Sequence, residues 1–266
     1  QFHDILTTLT TPRCYFFTAT TITTPSDKGR GMNNEGLYGK VLYKMIPREA
    51  IELGKMVRPI LHIVKSDVFY SSDDYKRSLN SIIEYTFKQH EKILTKTTPK
   101  ILISVKGTQD IKSFLLSEEY KNLRAYGVDI YAVASSDEIG NNINGERVRR
   151  QDILKRLKED GSNREKKLIV LHYDILAEGI DVSAFSGIMP LRTLNKSKFL
   201  QTFGRAARLD NDDRIRLEKK EITPNDLDKM LKPYAYIIIP NIIHSNEDDK
   251  QNLTQLIAEL RSYGFN

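Results

Sequence analysis

Cysteine and long apolar runs are nearly missing from this sequence of 266 residues. The single cysteine, Cys14, excludes an internal disulfide framework and a cysteine-based metal cluster, and such usage is typical of a reducing, intracellular setting. No stretch approaches the roughly 20 apolar residues that a helix needs to span a bilayer, and the first residues lack a signal-peptide pattern. The sequence therefore predicts a cytoplasmic protein, or one of the nucleus or a viral factory in a eukaryotic host, with no membrane partner.

An excess of acidic residues is also missing. The 41 Lys and Arg outnumber the 35 Asp and Glu, which gives a formal net charge of +6. A basic balance favours an anionic partner, although a modest excess of lysine also occurs in proteins that bind no nucleic acid. With 39% hydrophobic and 29% charged residues, the chain is predicted to be globular and long enough for one large domain, or for one domain and part of another.

Short apolar runs alternate with segments of helical period. The runs predicted as strands are 13–17, 40–46, 60–64, 100–105, 128–134, 167–173, 186–191 and 235–240. The segments predicted as helices are 74–94, 109–123, 146–159 and 197–209, and the charged segment 211–233 is predicted to be an exposed loop or a short helix. Near-continuous apolar strands between helices indicate an α/β fold with a parallel sheet covered on both faces. Ligands of such sheets bind at the carboxyl ends of the strands.

The stretch KFLQTFGRAARLD, residues 198–210, is predicted to be an amphipathic helix. Gln201, Arg205 and Arg208 follow one another at i, i+4 and i+7 and would share one face. Gly204 would leave room there for a ligand to approach the backbone. The opposite face would carry Phe199, Phe203, Ala206 and Ala207. A solvated basic surface would have the same pattern, so the helix alone does not identify a site.

Polar residues follow three of the predicted strands. They are Thr18, Ala19 and Thr20, then Ser104, Lys106 and Gly107, and then Gly179 and Asp181. The backbone N–H groups near Gly107 could hold a phosphate at a helix start, although a plain strand-to-helix turn fits equally well. Gly179 would let a ligand approach the main chain, and the carboxylate of Asp181 could accept a hydrogen bond from a hydroxyl group.

The order of these segments resembles motifs III, IV, V and VI of superfamily 2 helicases. The specific part of the resemblance is AEGIDV followed by QTFGRAAR. The resemblance implies a RecA-like parallel sheet flanked by helices, preceded by a remnant of a first RecA-like domain. Residues 1–58 would be the C-terminal part of that first domain, with motif III and the connection. Residues 59–266 would be the second RecA-like domain.

The resemblance also implies roles for single residues. ATP would bind between the two domains, with Arg208 as the arginine finger and Arg205 as a second phosphate contact or a partner of an acidic residue in the first domain. Gln201 would position the nucleotide or the surroundings of the attacking water. The remaining implied sites are nucleotide contacts at Glu178, Gly179 and Asp181 (the last on the ribose), coupling residues Thr18, Ala19 and Thr20, and nucleic-acid contacts at Ser104, Lys106, Gly107, Arg192 and Thr193.

Two motifs of these helicases are missing from the sequence. It contains no Gly-x-x-x-x-Gly-Lys-Ser/Thr phosphate loop and no Asp-Glu-x-His or Asp-Glu-x-Asp box. The resemblance therefore implies the C-terminal portion of an ATP-dependent helicase or translocase, acting on DNA ahead of RNA. Its N-terminal RecA-like domain would lie elsewhere in the same polypeptide, and the intact protein would bind ATP and Mg²⁺. The alternative is a RecA-like module without catalysis that binds nucleic acid or protein.

Overall fold

The computed structural model describes residues 8, 15–18, 23–25, 29, 31–66, 72–134, 140–173, 185–192, 196–242, 254, 257 and 258. The chain divides into two compact units, residues 1–45 and residues 46–266. The first unit includes a short helix, α1 (Glu35–Tyr38), and its described residue 8 is also helical. Asn34 begins this helix, because its side chain accepts a hydrogen bond from the Gly36 N–H at 3.1 Å.

The predicted strand at 40–46 is wrong, and the described residues of the predicted strand 13–17, which are 15–17, are also irregular. Val41 is 74% exposed and Leu42 is 79% exposed. A strand is stable only when a neighbouring strand takes up its backbone hydrogen bonds. Within the described residues no strand pairs with either segment. Apolar composition alone is therefore not enough to make these segments strands.

The second unit alternates strands and helices. Its described helices are α2 (Pro47–Glu52), α3 (Ser72–Ile93), α4 (Thr108–Leu115), α5 (Glu118–Ala125), α6 (Arg150–Ser162), α7 (Lys196–Ala206) and α8 (Asn211–Glu218). Its described strands are β1 (Arg58–Ser66), β2 (Lys100–Ser104), β3 (Val128–Val133), β4 (Asn141–Ile143), β5 (Glu146–Val148), β6 (Lys167–His172), β7 (Gly187–Pro190) and β8 (Tyr234–Ile242). No described helix is long and apolar enough to cross a membrane.

The described strands form one sheet in the order β1-β8-β7-β2-β6-β3-β4-β5. The six strands from β1 to β3 in this order are parallel to their neighbours, whereas β4 and β5 are antiparallel. The predicted parallel α/β sheet is therefore confirmed. Parallel strands end at the same edge of the sheet, so the carboxyl ends of β2, β6 and β7 lie side by side.

Helices cover both faces of the sheet, and the side chains of each strand alternate between the two. Leu102 lies in one apolar cluster, together with Leu157 of α6 and Phe203 of α7. The neighbouring Ile101 lies in the other cluster, together with Phe87 of α3. Strands buried on both faces must be apolar throughout, which is why the core strands could be predicted from continuous apolar runs.

Three predicted helices differ from the observed ones. The predicted helix 109–123 is interrupted at Ser117, whose hydroxyl caps α5 by accepting a hydrogen bond from the Tyr120 N–H at 3.2 Å. The predicted helix 146–159 begins as β5, because Asn144 and Gly145 form a two-residue turn between β4 and β5 with φ of 54° and 91°. The predicted helix 197–209 ends early, at Ala206.

Candidate functional site

Helix α7 has an apolar face and a polar face, as predicted. Phe199 and Phe203 are buried against the sheet, and their rings stack with centroids 6.4 Å apart. On the other side Gln201 is exposed and Arg205 is half-buried. The buried face fixes the helix on the sheet, so the positions of the polar side chains are determined by the core.

Arg208 lies beyond the end of this helix. Gln201 and Arg205 therefore share one face of the helix, as predicted. The prediction that Arg208 lies on the same helix face is wrong, because the helix ends at Ala206. The Ala207 carbonyl accepts a hydrogen bond from the distant Val57 N–H at 2.9 Å, which replaces a further helical bond. Ala207 and Leu209 are both buried, and the exposed Arg208 lies between them. Its backbone is thus held on both sides.

Gly204 leaves the exposed side of α7 open. It is exposed, and a Cβ atom built there would meet no described atom within 4 Å other than those of its chain neighbours and of the nearby helix backbone. The neighbouring Arg205 is half-buried. A phosphate or a nucleic-acid backbone could therefore reach the helix backbone beside this guanidinium group.

A buried lysine holds the C-terminal end of α7. Lys232 is 2% exposed, and its Nζ donates hydrogen bonds to the Phe185 carbonyl at 2.9 Å and to the Ala206 carbonyl at 3.1 Å. A cation is favoured at this end of a helix, because the last carbonyls are unpaired and carry partial negative charge. Burial nevertheless lowers the pKa of Lys232 to about 7, since it disfavours the charged form.

The carboxylate of Asp213 anchors this lysine in turn. Asp213 lies on α8 with no exposed surface, and it accepts hydrogen bonds from the Leu231 N–H at 2.8 Å and the Lys232 N–H at 2.9 Å. Arg216 Nη1 lies 3.5 Å from the same carboxyl group. The charged segment 211–233 contains the predicted short helix, but it also contains a buried ionic contact that the sequence did not indicate.

The carboxyl edge of the sheet brings together the ends of β2, β6 and β7. Ser104 is buried, and its hydroxyl lies 2.8 Å from Nε2 of the buried His172. The strand ends are linked further by hydrogen bonds from the Val105 N–H to the His172 carbonyl and from the Leu191 N–H to the Ser104 carbonyl. Ser104 therefore joins the neighbouring ends of β6 and β7.

Of the predicted nucleic-acid contacts beyond β2, Lys106 is exposed. The Gly107 N–H donates to Asp110 Oδ2 at 3.0 Å, so this helix start already binds a carboxylate of its own. A phosphate at that amide would compete with Asp110 and meet its negative charge. After β7, Arg192 lies over the ring of Tyr173, with 4.7 Å between Cζ and the ring centroid.

Several predicted site residues lie outside the described residues. They are Ala19, Thr20, Glu178, Gly179, Asp181 and Thr193. Thr18 is described and exposed in an irregular segment of the first unit. Among the described residues, no group of three or more His, Cys, Asp or Glu side chains could hold a metal ion.

No protein-family model matches the sequence, and no curated protein matches it. Among solved structures, the chain is similar to the ATP-dependent Type ISP restriction-modification enzyme LlaBIII bound to DNA, with a TM-score of 0.51 and 15% identity. This match covers 88% of the chain but only 16% of the length of LlaBIII.

Two further solved structures are similar at lower scores. A fragment of a putative HsdR subunit of a type I restriction enzyme from Vibrio vulnificus is 16% identical with a TM-score of 0.47, covering 82% of this chain and 38% of that one. The C-terminal domain of a Dbp5 variant from S. cerevisiae, bound to a Gle1 variant and IP6, is 14% identical with a TM-score of 0.37, covering 79% of this chain and 85% of that one.

The likeness to LlaBIII concerns the fold, because the identity is only 15%. It agrees with the strand order, in which parallel strands are covered by helices on both faces. The chain therefore has a RecA-like α/β fold, similar to that of a part of LlaBIII.

Proposed function

We propose that this chain is the C-terminal portion of an ATP-dependent nucleic-acid helicase or translocase. The observation that carries the proposal is the polar surface of α7 and the residue just beyond it. Gln201 and Arg208 are exposed, Arg205 is half-buried, and the space at Gly204 is open. Because the apolar face of α7 is buried in the core, this surface is a fixed one. Guanidinium groups held in this way suit the oxygens of a phosphate chain.

Arg208 acts in this proposal as the arginine finger. Its guanidinium group would stabilise the negative charge that the γ-phosphate carries in the transition state of hydrolysis. Arg205 would contact phosphate already in the ground state, or an acidic residue of the first RecA-like domain. Gln201 would orient the nucleotide or the region around the attacking water. The two arginines would therefore contribute to different steps.

The remaining nucleotide contacts would come from outside the described residues and from another part of the polypeptide. When bound, ATP supplies the phosphoryl group, and Mg²⁺ neutralises part of its charge. Gly179 and Glu178 would lie against the nucleotide, and Asp181 would accept a hydrogen bond from the ribose. The segment 18–20 would couple the nucleotide to domain closure. The phosphate loop and the Asp-Glu box, which this sequence lacks, would belong to the first RecA-like domain.

Nucleic acid would bind at the carboxyl edge of the sheet. Lys106 is exposed there, and Arg192 carries a positive charge above Tyr173. Thr193 follows Arg192 directly, whereas Ser104 and Gly107 would support the edge through their contacts with His172 and Asp110. We propose DNA ahead of RNA as the substrate, and the DNA in the LlaBIII structure supports this choice.

The test is steady-state ATPase activity of the full-length polypeptide with saturating DNA. We expect Arg208→Lys to lower kcat by about 10³-fold with little change in nucleotide binding, because lysine keeps the charge but loses the planar fork. Arg205→Lys should weaken nucleotide binding and turnover together. The control is Arg214→Lys, which alters an arginine that pairs with Glu218 on the surface of α8 and should leave both quantities unchanged. Full activity in the Arg208 variant would refute the proposed finger.

A further inference from the structure

The side chain of Lys232 connects the end of α7 to the residues just before β7. Its acceptors are the carbonyl of Ala206, the last residue of α7, and the carbonyl of Phe185, which follows the 178–181 loop in sequence and precedes β7. We propose that Lys232 is a positioning residue, which fixes the end of α7 and thereby the location of Arg208. The effect that we assign to it on turnover rests on the proposed function.

The segment that leaves α7 at Ala206 comes back into contact with Ala206 through the side chain of Lys232. After Ala206 it places Arg208 at the surface, and it enters α8 at Asp210, whose carboxylate accepts a hydrogen bond from the Asp212 N–H at 2.9 Å. Asp213 then binds the backbone of Lys232, whose amine reaches back to Ala206. We call residues 206–232 the arginine loop. The Lys232 side chain therefore holds the backbone two residues before Arg208, in addition to the contact that Val57 makes with Ala207.

Stability alone does not account for a lysine at this place. The pKa of Lys232 is lowered chiefly by desolvation, so burying the amine opposes folding. Nearby carboxylates of Asp210 and Asp213 offset only part of this effect. A methionine of similar length would fill the same space without that desolvation penalty. What methionine would lack is a donor for the two carbonyls.

The chain contains a matched control for this lysine. Lys100 is also 2% exposed, and burial lowers its pKa to about 8. Its Nζ donates to Thr98 Oγ1 at 3.3 Å and not to a carbonyl of α7. The charge of Lys100 also acts on Lys232 and Asp210. Lys100→Met therefore removes a second buried amine from the same region, while the hydrogen bonds of Lys232 with Phe185 and Ala206 stay in place.

The first test uses the chain itself and needs no ATPase activity. Amide hydrogen exchange in Arg205, Ala206 and Ala207 should accelerate about tenfold in Lys232→Met, a loss of about 1.4 kcal/mol of local protection. The same amides in Lys100→Met should exchange as in the unmodified chain, and thermal unfolding should show that both variants are folded. Equal exchange in Lys232→Met and Lys100→Met would overturn the proposal.

The second test measures turnover in the full-length polypeptide. Lys232→Met should lower kcat about tenfold or more and leave KM for ATP unchanged, because a displaced Arg208 would fail in the transition state and not in ground-state binding. Lys100→Met should leave both constants unchanged. An unchanged kcat in Lys232→Met would overturn the positioning role if Arg208→Lys lowers kcat. If the unmodified polypeptide hydrolyses no ATP, the proposed function is wrong. The hydrogen-exchange experiment alone then tests whether Lys232 fixes the end of α7.

Discussion

Two lysine side chains are buried at the edge where the strands begin, within the described part of the chain. Lys100 is the first residue of β2, and Lys232 lies just before β8. Burial lowers the pKa of both amines, to about 8 and about 7. Each side chain therefore favours the folded state more when it is neutral than when it is charged.

This shift gives the stability of the protein a pH dependence that Lys232→Met should remove. Between pH 7 and the unfolded value of 10.5, the unfolded lysine binds a proton that the folded one has lost, so stability should rise with pH. We expect the unfolding free energy of the unmodified chain, relative to Lys232→Met, to rise by about 1.4 kcal/mol per pH unit within this window. Urea unfolding of both proteins at pH 8 and pH 9.5 measures it. A constant difference would show that Lys232 keeps its ordinary pKa.

Sequence patterns were informative for some of these residues and silent for others. The exposed Gln201 and the buried Phe203 could be predicted, because helical period determines which side a residue faces. Lys232 could not, because its partners Phe185 and Ala206 are distant in sequence and lie in segments with no shared pattern. The charged composition of the segment 211–233 predicts that its residues are exposed on average. It does not indicate that Lys232 is buried.

At the scale of elements, continuous apolar runs predicted the core strands, because both faces of the sheet are covered. The run 40–46 has the same composition and forms no strand, since strand pairing depends on a neighbour that local sequence cannot supply. The hairpin of β4 and β5 was missed, although its Asn144-Gly145 turn is a known signal for this element. The end of α7 was placed too late because the contact from Val57 is not local.

The open side of α7 predicts opposite effects of one substitution on stability and function. Gly204→Ala should stabilise the protein by about 1 kcal/mol, because alanine is the better helix former and its methyl group meets open space. If a ligand approaches the backbone there, the same methyl group should weaken nucleotide binding or turnover in the full-length polypeptide. Thermal unfolding and nucleotide titration measure the two effects. Higher stability with unchanged binding and turnover would mean that no ligand comes close to Gly204.

At the scale of the whole molecule, the net charge of +6 and the exposed Lys106 favour binding to an anionic polymer. Apart from the buried Lys100, Asp160, Asp213 and Lys232, the described Lys, Arg, Asp and Glu side chains reach the surface, where counterions surround them. Binding to phosphates would release ions from the nucleic acid, so affinity should depend strongly on salt.

We expect the isolated chain to bind single-stranded DNA weakly and without sequence preference. The logarithm of the affinity should fall linearly with the logarithm of the salt concentration, with a slope of about −0.7 for each phosphate contacted. Fluorescence anisotropy across a salt series, with oligonucleotides of different sequence, measures it. Lys106→Gln should reduce the magnitude of the slope by about 0.7, the contribution of one phosphate contact. An affinity independent of salt would contradict the proposed contacts.

The hairpin of β4 and β5 has a further consequence for the protein in concentrated solution. β5 is the last strand of the described sheet and has only three residues, of which Glu146 and Arg147 are exposed. An unpaired sheet edge can template the addition of strands from other molecules, and short charged edge strands prevent this. The hairpin thus shields a core of nearly uninterrupted apolar strands from aggregation at that edge.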